Sequence, residues 1–135
     1  SLKAKRLIDV ATLTGACVVA LGTETTGAFG NNPRLMKRLL QAAKTTGERT
    51  WQLPIDDIYK ALNKSDIADV KNAGSRWGGA ISAAHFLYEF AGNTPWVHLD
   101  IAGTSDTTRE AGYLTKGGTG VPVRTLVTLV LEMAA

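Results

Sequence analysis

The chain has 135 residues, 44% hydrophobic and 20% charged, with a formal net charge of +3 and a pI near 9.2; at this length roughly 68% of the unfolded surface can be buried, so one domain with a real core is expected and disorder is excluded. The single cysteine, Cys17, excludes an internal disulfide and suits a reducing compartment, and the lack of any run of about 18 apolar residues excludes a membrane-spanning helix. The 15 Lys and Arg residues are dispersed rather than gathered into a run, which argues against a nucleic-acid groove.

SLKAKRLIDV, at the N-terminus, lacks the long apolar segment and cleavage site of a secretory signal, so a soluble cytoplasmic protein is expected. Leu7, Ile8, Val10 and Ala11 read as a short, nearly continuous apolar strand of the kind covered on both faces in parallel sheets. Gly15 permits a sharp turn, and ACVVALG is long enough for about two helical turns before Gly22 stops it. TTGAFGNN is glycine-rich and reads as a turn. Asn32 caps the next helix, Pro33 takes its first position, Leu35, Met36, Leu39, Leu40 and Ala43 recur at helical spacing, and Gly47 ends it.

WQLPI is an extended or edge segment, and Asp56 and Asp57 lie well for capping the short amphipathic helix DIYKAL. SDIADVKNAG fits either a short strand or an irregular loop. GGAISAAHFLYEFAG is a helix whose predicted apolar face is Ala83, Phe86, Leu87 and Phe90. Asn93, Thr94 and Pro95 break it, and WVHLDIAG follows as a second apolar strand ending on small residues. GTSDTTREAGYLTKGGTG is a long polar loop, and a last helix runs from about Val121 to the end with Val123, Leu126, Val127, Val130 and Leu131 apolar. Alternating strands and helices predict an α/β fold: a largely parallel or mixed sheet flanked by helices, in one domain spanning 1–135.

In open α/β sheets ligands bind beyond the carboxyl ends of strands, where this chain places ATLTG (11–15) and AGTS (102–105). Small residues there let a ligand approach main chain, and an irregular turn at Leu13 to Gly15 leaves an N–H or C=O free for a peptide-like partner. The alternative is a pair of tight turns with nothing bound. Cys17, flanked by Ala16, Val18 and Val19, reads as a small buried hydrophobe, and His85 as a packed or rim histidine. His98 and Asp100 share a strand face, compatible with a His–Asp pair or two metal ligands, but no third ligand has suitable spacing. Asp56, Asp57, Asp66 and Asp69 read as capping or solvated loop charge. No nucleophile elbow, P-loop or dinucleotide-binding glycine motif is present.

Taken together, IDVATLTGACVVALG, TGAFGNN, WQLP, SDIADVKN, GGAISAAHFLYEF, WVHLDIAGT and GGTGVPVRTL resemble, in order, the C-terminal part of the catalytic domain of the leucyl aminopeptidase family, the two-metal cytosolic aminopeptidases. The resemblance implies a hydrolase that removes N-terminal residues from peptides using two divalent cations, zinc or manganese, and assembles as a homohexamer. It also implies that the metal ligands, catalytic lysine and bicarbonate-binding arginine precede ATLTGA, the last in an N-T-D-A-E-G-R motif absent here. The expectation is therefore a fragment with no catalytic or metal-ligating residue, binding no cation and inactive alone. Its carried-over substrate contacts are Leu13, accepting from the peptide N–H after the scissile bond, and Gly15, donating to the next carbonyl. Thr12, Gly15, Ala102 and Ser105 border the pocket for the N-terminal side chain. Some bacterial relatives bind DNA, which the dispersed charge argues against here. The rival reading is a non-catalytic α/β assembly or binding module.

Overall fold

The computed structural model describes residues 3–134. In chain order its elements are β1 (Leu7–Ala11), α1 (Gly15–Leu21), β2 (Thr26–Gly30), α2 (Pro33–Thr46), β3 (Thr50–Gln52), a 3-10 helix (Asp57–Asn63), α3 (Gly79–Ala91), β4 (Trp96–Asp100), β5 (Asp106–Thr107), β6 (Gly117–Gly118) and α4 (Val123–Ala134). Four strands form a mixed sheet in the order β1-β4-β2-β3, with β1 parallel to β4, β4 antiparallel to β2 and β2 parallel to β3. The α/β class and the flanked mixed sheet are as the sequence predicts. β5 and β6 make a separate two-stranded ribbon.

Every residue of β4 is buried, because it pairs on both edges and carries helices on both faces. On one face Ala28, Val97 and Leu99 pack with Leu35, Met36 and Leu39 of α2 and Leu129 of α4. On the other, Phe29 packs with Cys17 of α1 and Ala80 and Ala84 of α3. Fully buried leucines such as Leu39 and Leu99 each contribute roughly 1.5–3 kcal/mol.

TTGAFGNN is not a turn: it holds β2, whose first four residues are buried at the centre of the sheet. Its glycines serve packing, since a Cβ on Gly27 would lie 2.6 Å from the Cys17 sulfur and one on Gly30 2.6 Å from the Trp96 carbonyl oxygen. α2 begins and ends as predicted. The Asn32 side chain accepts from Leu35 N–H at 2.9 Å, and Gly47 closes the helix in the left-handed region. DIYKAL forms a 3-10 helix without a side-chain cap, and residues 64–78 are irregular loop.

α3 buries a different face from the predicted one, and α4 turns inward only one of the residues that the sequence marks as apolar, Leu126. α3 turns Ala80, Ser82, Ala84, His85 and Ala91 inward, while Ala83, Phe86 and Leu87 are half-buried and Phe90 is exposed. α4 seats Thr125, Leu126, Leu129 and Met133 against α2 and exposes Val123, Val127, Val130 and Leu131. In α3 small inner residues let the helix approach its neighbours closely, whereas α4 is held by Thr125, whose N–H and hydroxyl both donate to Glu48. Of the predicted helix to the chain end, Ala135 lies outside the described residues.

The N-terminus of α4 is capped from another element. The buried Glu48 carboxylate accepts from Thr125 N–H at 2.8 Å, Thr125 Oγ1 at 2.6 Å and Arg124 Nε at 3.1 Å. It occupies the place of an N-cap and complements the helix dipole. Glu48→Gln is expected to lower stability by about 1–3 kcal/mol, read as a fall in the urea midpoint with an unchanged slope. An unchanged midpoint would refute the capping role.

Cys17 is buried with its sulfur 3.9 Å from the Asp100 carbonyl oxygen. Burial, and secondarily the Asp100 charge, push its thiol up to about 11, so the fold favours the protonated form. That preference is intact below the ordinary thiol value of about 8.5 and is lost as pH rises toward the folded value. Between about pH 8 and about pH 10.5 wild type is expected to lose stability relative to Cys17→Ala, and a thiol reagent is expected to label the folded chain far more slowly than the urea-unfolded one.

Candidate functional site

The carboxyl ends of β1 and β4 lie side by side because the strands are parallel and in register, with Ala11 opposite Asp100. Ile101 N–H then donates to the Ala11 carbonyl at 2.9 Å, extending the pairing past the strand ends. The Asp100 side chain, buried at the last position of β4, fastens both exits. Its Oδ1 accepts from Leu13 N–H at 3.1 Å, Ala102 N–H at 3.1 Å and Thr14 N–H at 3.4 Å, while its Oδ2 accepts from Thr14 Oγ1 at 2.7 Å. Thr14 Oγ1 in turn accepts from Cys17 N–H at 3.0 Å and caps α1. One short polar network thus sets the turn, the helix start and the beginning of the second turn.

The Leu13 carbonyl and the Gly15 N–H take part in none of the hydrogen bonds among the described residues. Thr12 and Gly15 are exposed, and a Cβ placed on Gly15 would meet nothing within 4 Å. Leu13 and Thr14 also wall a cavity of about 290 Å³, closed by Asn63, Asn72, Gly74 and the first turn of α3. The Asn63 side chain is buried there. Its amide donates to the Ser82 and Lys71 carbonyls at 2.9 and 3.2 Å, and its Oδ1 has no partner.

Of the five sequence-predicted binding residues, Leu13 and Ala102 meet on one carboxylate oxygen, with Thr12 and Gly15 on the same turn as Leu13. Ser105 stands one step further along. Its N–H donates to the Ile101 carbonyl at 2.9 Å and its carbonyl accepts from Thr119 N–H at 3.0 Å, so its main chain belongs to the base of the β5–β6 ribbon. Gly103 lets this turn approach the Gly22 carbonyl, which any Cβ would strike.

His98 and Asp100 share a strand face but do not pair. His98 Nδ1 lies 2.6 Å from Asp9 Oδ1, and the Trp96 indole N–H donates to Asp9 Oδ2 at 2.5 Å. A carboxylate accepts, so His98 carries its proton on Nδ1. Its ring lies beside those of Phe29 and Trp96, with centroids 6.1 and 6.5 Å away, and its Nε2 is buried without a partner. His85 is a packed histidine with Nε2 3.0 Å from the Asp56 carbonyl oxygen, and Asp56, Asp57, Asp66 and Asp69 are exposed.

Sequence reasoning missed Asp9 as the partner of His98, Asp100 as the clamp of both turns, and Asn63. The available signal for the first two was an acid inside each apolar strand, since a buried carboxylate must find donors. Among the described residues no group of three or more His, Cys, Asp or Glu side chains is placed to hold a metal ion. No helix of the described residues is long and apolar enough to cross a membrane.

Residues 1–127 match the model for the cytosol aminopeptidase family, catalytic domain. A probable cytosol aminopeptidase from Alkaliphilus metalliredigens is 54% identical over 98% of this chain and 26% of its own length. One from Solibacter usitatus is 57% identical over 96% and 27%. The chain therefore spans about a quarter of the length of the curated relatives it matches. Among solved structures, a mutant of tomato leucine aminopeptidase superposes with a TM-score of 0.88 at 41% identity, covering 96% of this chain and 25% of that one. The bottromycin maturation enzyme BotP, in complex with Mn, gives 0.93 at 36% identity, covering 100% and 30%. With its strands, its turns and nearly its whole length matched, the chain belongs to the cytosol aminopeptidase family.

Proposed function

We propose that residues 1–135 are the C-terminal segment of the catalytic domain of a metal-dependent leucyl aminopeptidase, and that this segment supplies the ledge against which the N-terminal end of a peptide lies. The observation that carries the reading is the pair of adjacent strand exits, held by Asp100, with the Leu13 carbonyl and the Gly15 N–H left unengaged. An extended peptide offers the complementary groups. Leu13 accepts from the N–H after the scissile bond and Gly15 donates to the next carbonyl, while Thr12, Gly15, Ala102 and Ser105 border the N-terminal side chain.

Each such main-chain bond in a dry site is worth roughly 1–3 kcal/mol, enough to position a substrate. Among the described residues Asp100 is taken by the turns and His98 by Asp9, which leaves neither side chain free for the two divalent cations, zinc or manganese, that the family resemblance implies. Those cations are assigned to polypeptide outside these residues, and no catalytic step is assigned to this segment. The complete protein is read as a cytoplasmic homohexamer acting on peptides, not on nucleic acid or membranes. The names of the relatives support the peptide substrate and the compartment.

The segment is tested by substituting it for the matching quarter of the Alkaliphilus metalliredigens protein. The chimera is expected to hydrolyse leucine p-nitroanilide with added manganese and to lose the activity on chelation, while the 135-residue chain alone gives no turnover. Metal-stimulated turnover by the isolated chain, or an inactive chimera beside an active host, would overturn the reading; the latter result would favour the non-catalytic module. In the chimera Gly15→Ala places a methyl group on the ledge and is expected to raise KM on the order of tenfold at unchanged melting temperature. An unchanged KM would remove Gly15 from the binding surface.

A further inference from the structure

Resting on the aminopeptidase reading, we propose that Asp100 is a positioning residue for the reaction, aiming the Leu13 carbonyl at the scissile N–H of the substrate. The peptide unit between Leu13 and Thr14 is planar and trans, so its N–H and C=O point in opposite directions. The N–H of Thr14 is drawn onto Asp100 Oδ1 at 3.4 Å, with the Thr14 hydroxyl on Oδ2 at 2.7 Å. The Leu13 carbonyl is therefore turned away from Asp100, where no group of the described chain engages it.

The preceding amide is fixed in the same way through Leu13 N–H on Oδ1 at 3.1 Å, and Ala102, from the opposite turn, donates to that same oxygen at 3.1 Å. Among the described residues no Lys, Arg or His forms an ion pair with Asp100, so three main-chain N–H groups and one hydroxyl meet its buried charge. Charge on the acceptor of the Thr14 N–H polarises that amide and makes the Leu13 carbonyl a stronger acceptor. Asparagine keeps the size of the side chain but not the charge. It must also present an N–H toward one of the donors.

The test compares leucinamide with leucine methyl ester in the chimera, because the two differ at the scissile position in whether an N–H is offered to Leu13. Asp100→Asn is expected to lower kcat/KM for the amide on the order of tenfold and for the ester by less than about threefold. Thr14→Val, which removes one of the four donors, is expected to shift the amide-to-ester ratio in the same direction by less, and Thr14→Ser to restore it. This second pair decides the matter if Asp100→Asn does not fold. Equal losses on both substrates, or no loss on either, would overturn the proposal while leaving the aminopeptidase reading intact. A chimera with the unaltered segment that cleaves neither substrate, beside an active host, would overturn that reading and this inference with it.

Discussion

A carboxylate at the end of a strand buried on both faces and paired on both edges has to be bonded on all sides, and in this protein that requirement organises the turns at the carboxyl ends of β1 and β4. Asp100 cannot reach water, and its oxygens find no cationic partner among the described residues. They are satisfied by the nearest bare backbone, the turn leaving β1 and the turn leaving β4. Parallel pairing brings those two turns to one edge, and the shared oxygen fixes their mutual orientation. Because Thr14 links the same carboxylate to the start of α1, the helix, the turn and the sheet form one polar unit rather than three contacts.

Most of this frame was legible in the sequence. LIDVA and WVHLD are apolar runs too short for helices, Asn32-Pro33 and Gly47 bracket α2, and small residues follow both strands. β2 was not legible, because two of its five residues are glycines and it is flanked by residues typical of turns. Its glycines answer to neighbours distant in sequence, the Cys17 sulfur and the Trp96 carbonyl, and local pattern carries no record of them. Tertiary contact overrides local propensity there.

The helix faces failed for a different reason. α3 and α4 carry apolar residues on more than one stripe, so periodicity identifies a helix without saying which stripe turns inward. In α4 the choice is made by Thr125, whose N–H and hydroxyl are drawn to Glu48 and whose burial brings Leu129 against α2. A polar anchor decides the orientation of an apolar helix. The same logic separates His98 from Asp100: strand periodicity puts them on one face, but the partner of each is set by register across β1, with Asp9 opposite His98 and the Leu13 turn beyond Ala11.

On the proposed reading, the ledge meets its ligand mainly with main chain, and this divides the work of recognition. Every peptide carries the N–H and C=O that Leu13 and Gly15 would engage, so those contacts fix where the scissile bond lies without selecting a sequence. Selection falls to the walls. Ala102 is small and half-buried on the clamped turn, whereas Ser105 has its main chain tied into the ribbon base. A change at Ser105 can alter the shape or polarity of the wall without disturbing the hydrogen bonds that aim Leu13, because those run through Asp100 and stop at Ala102. A fold built this way can vary its preferred N-terminal residue while keeping the geometry of the bond to be cut, and the clamp is what makes the two separable.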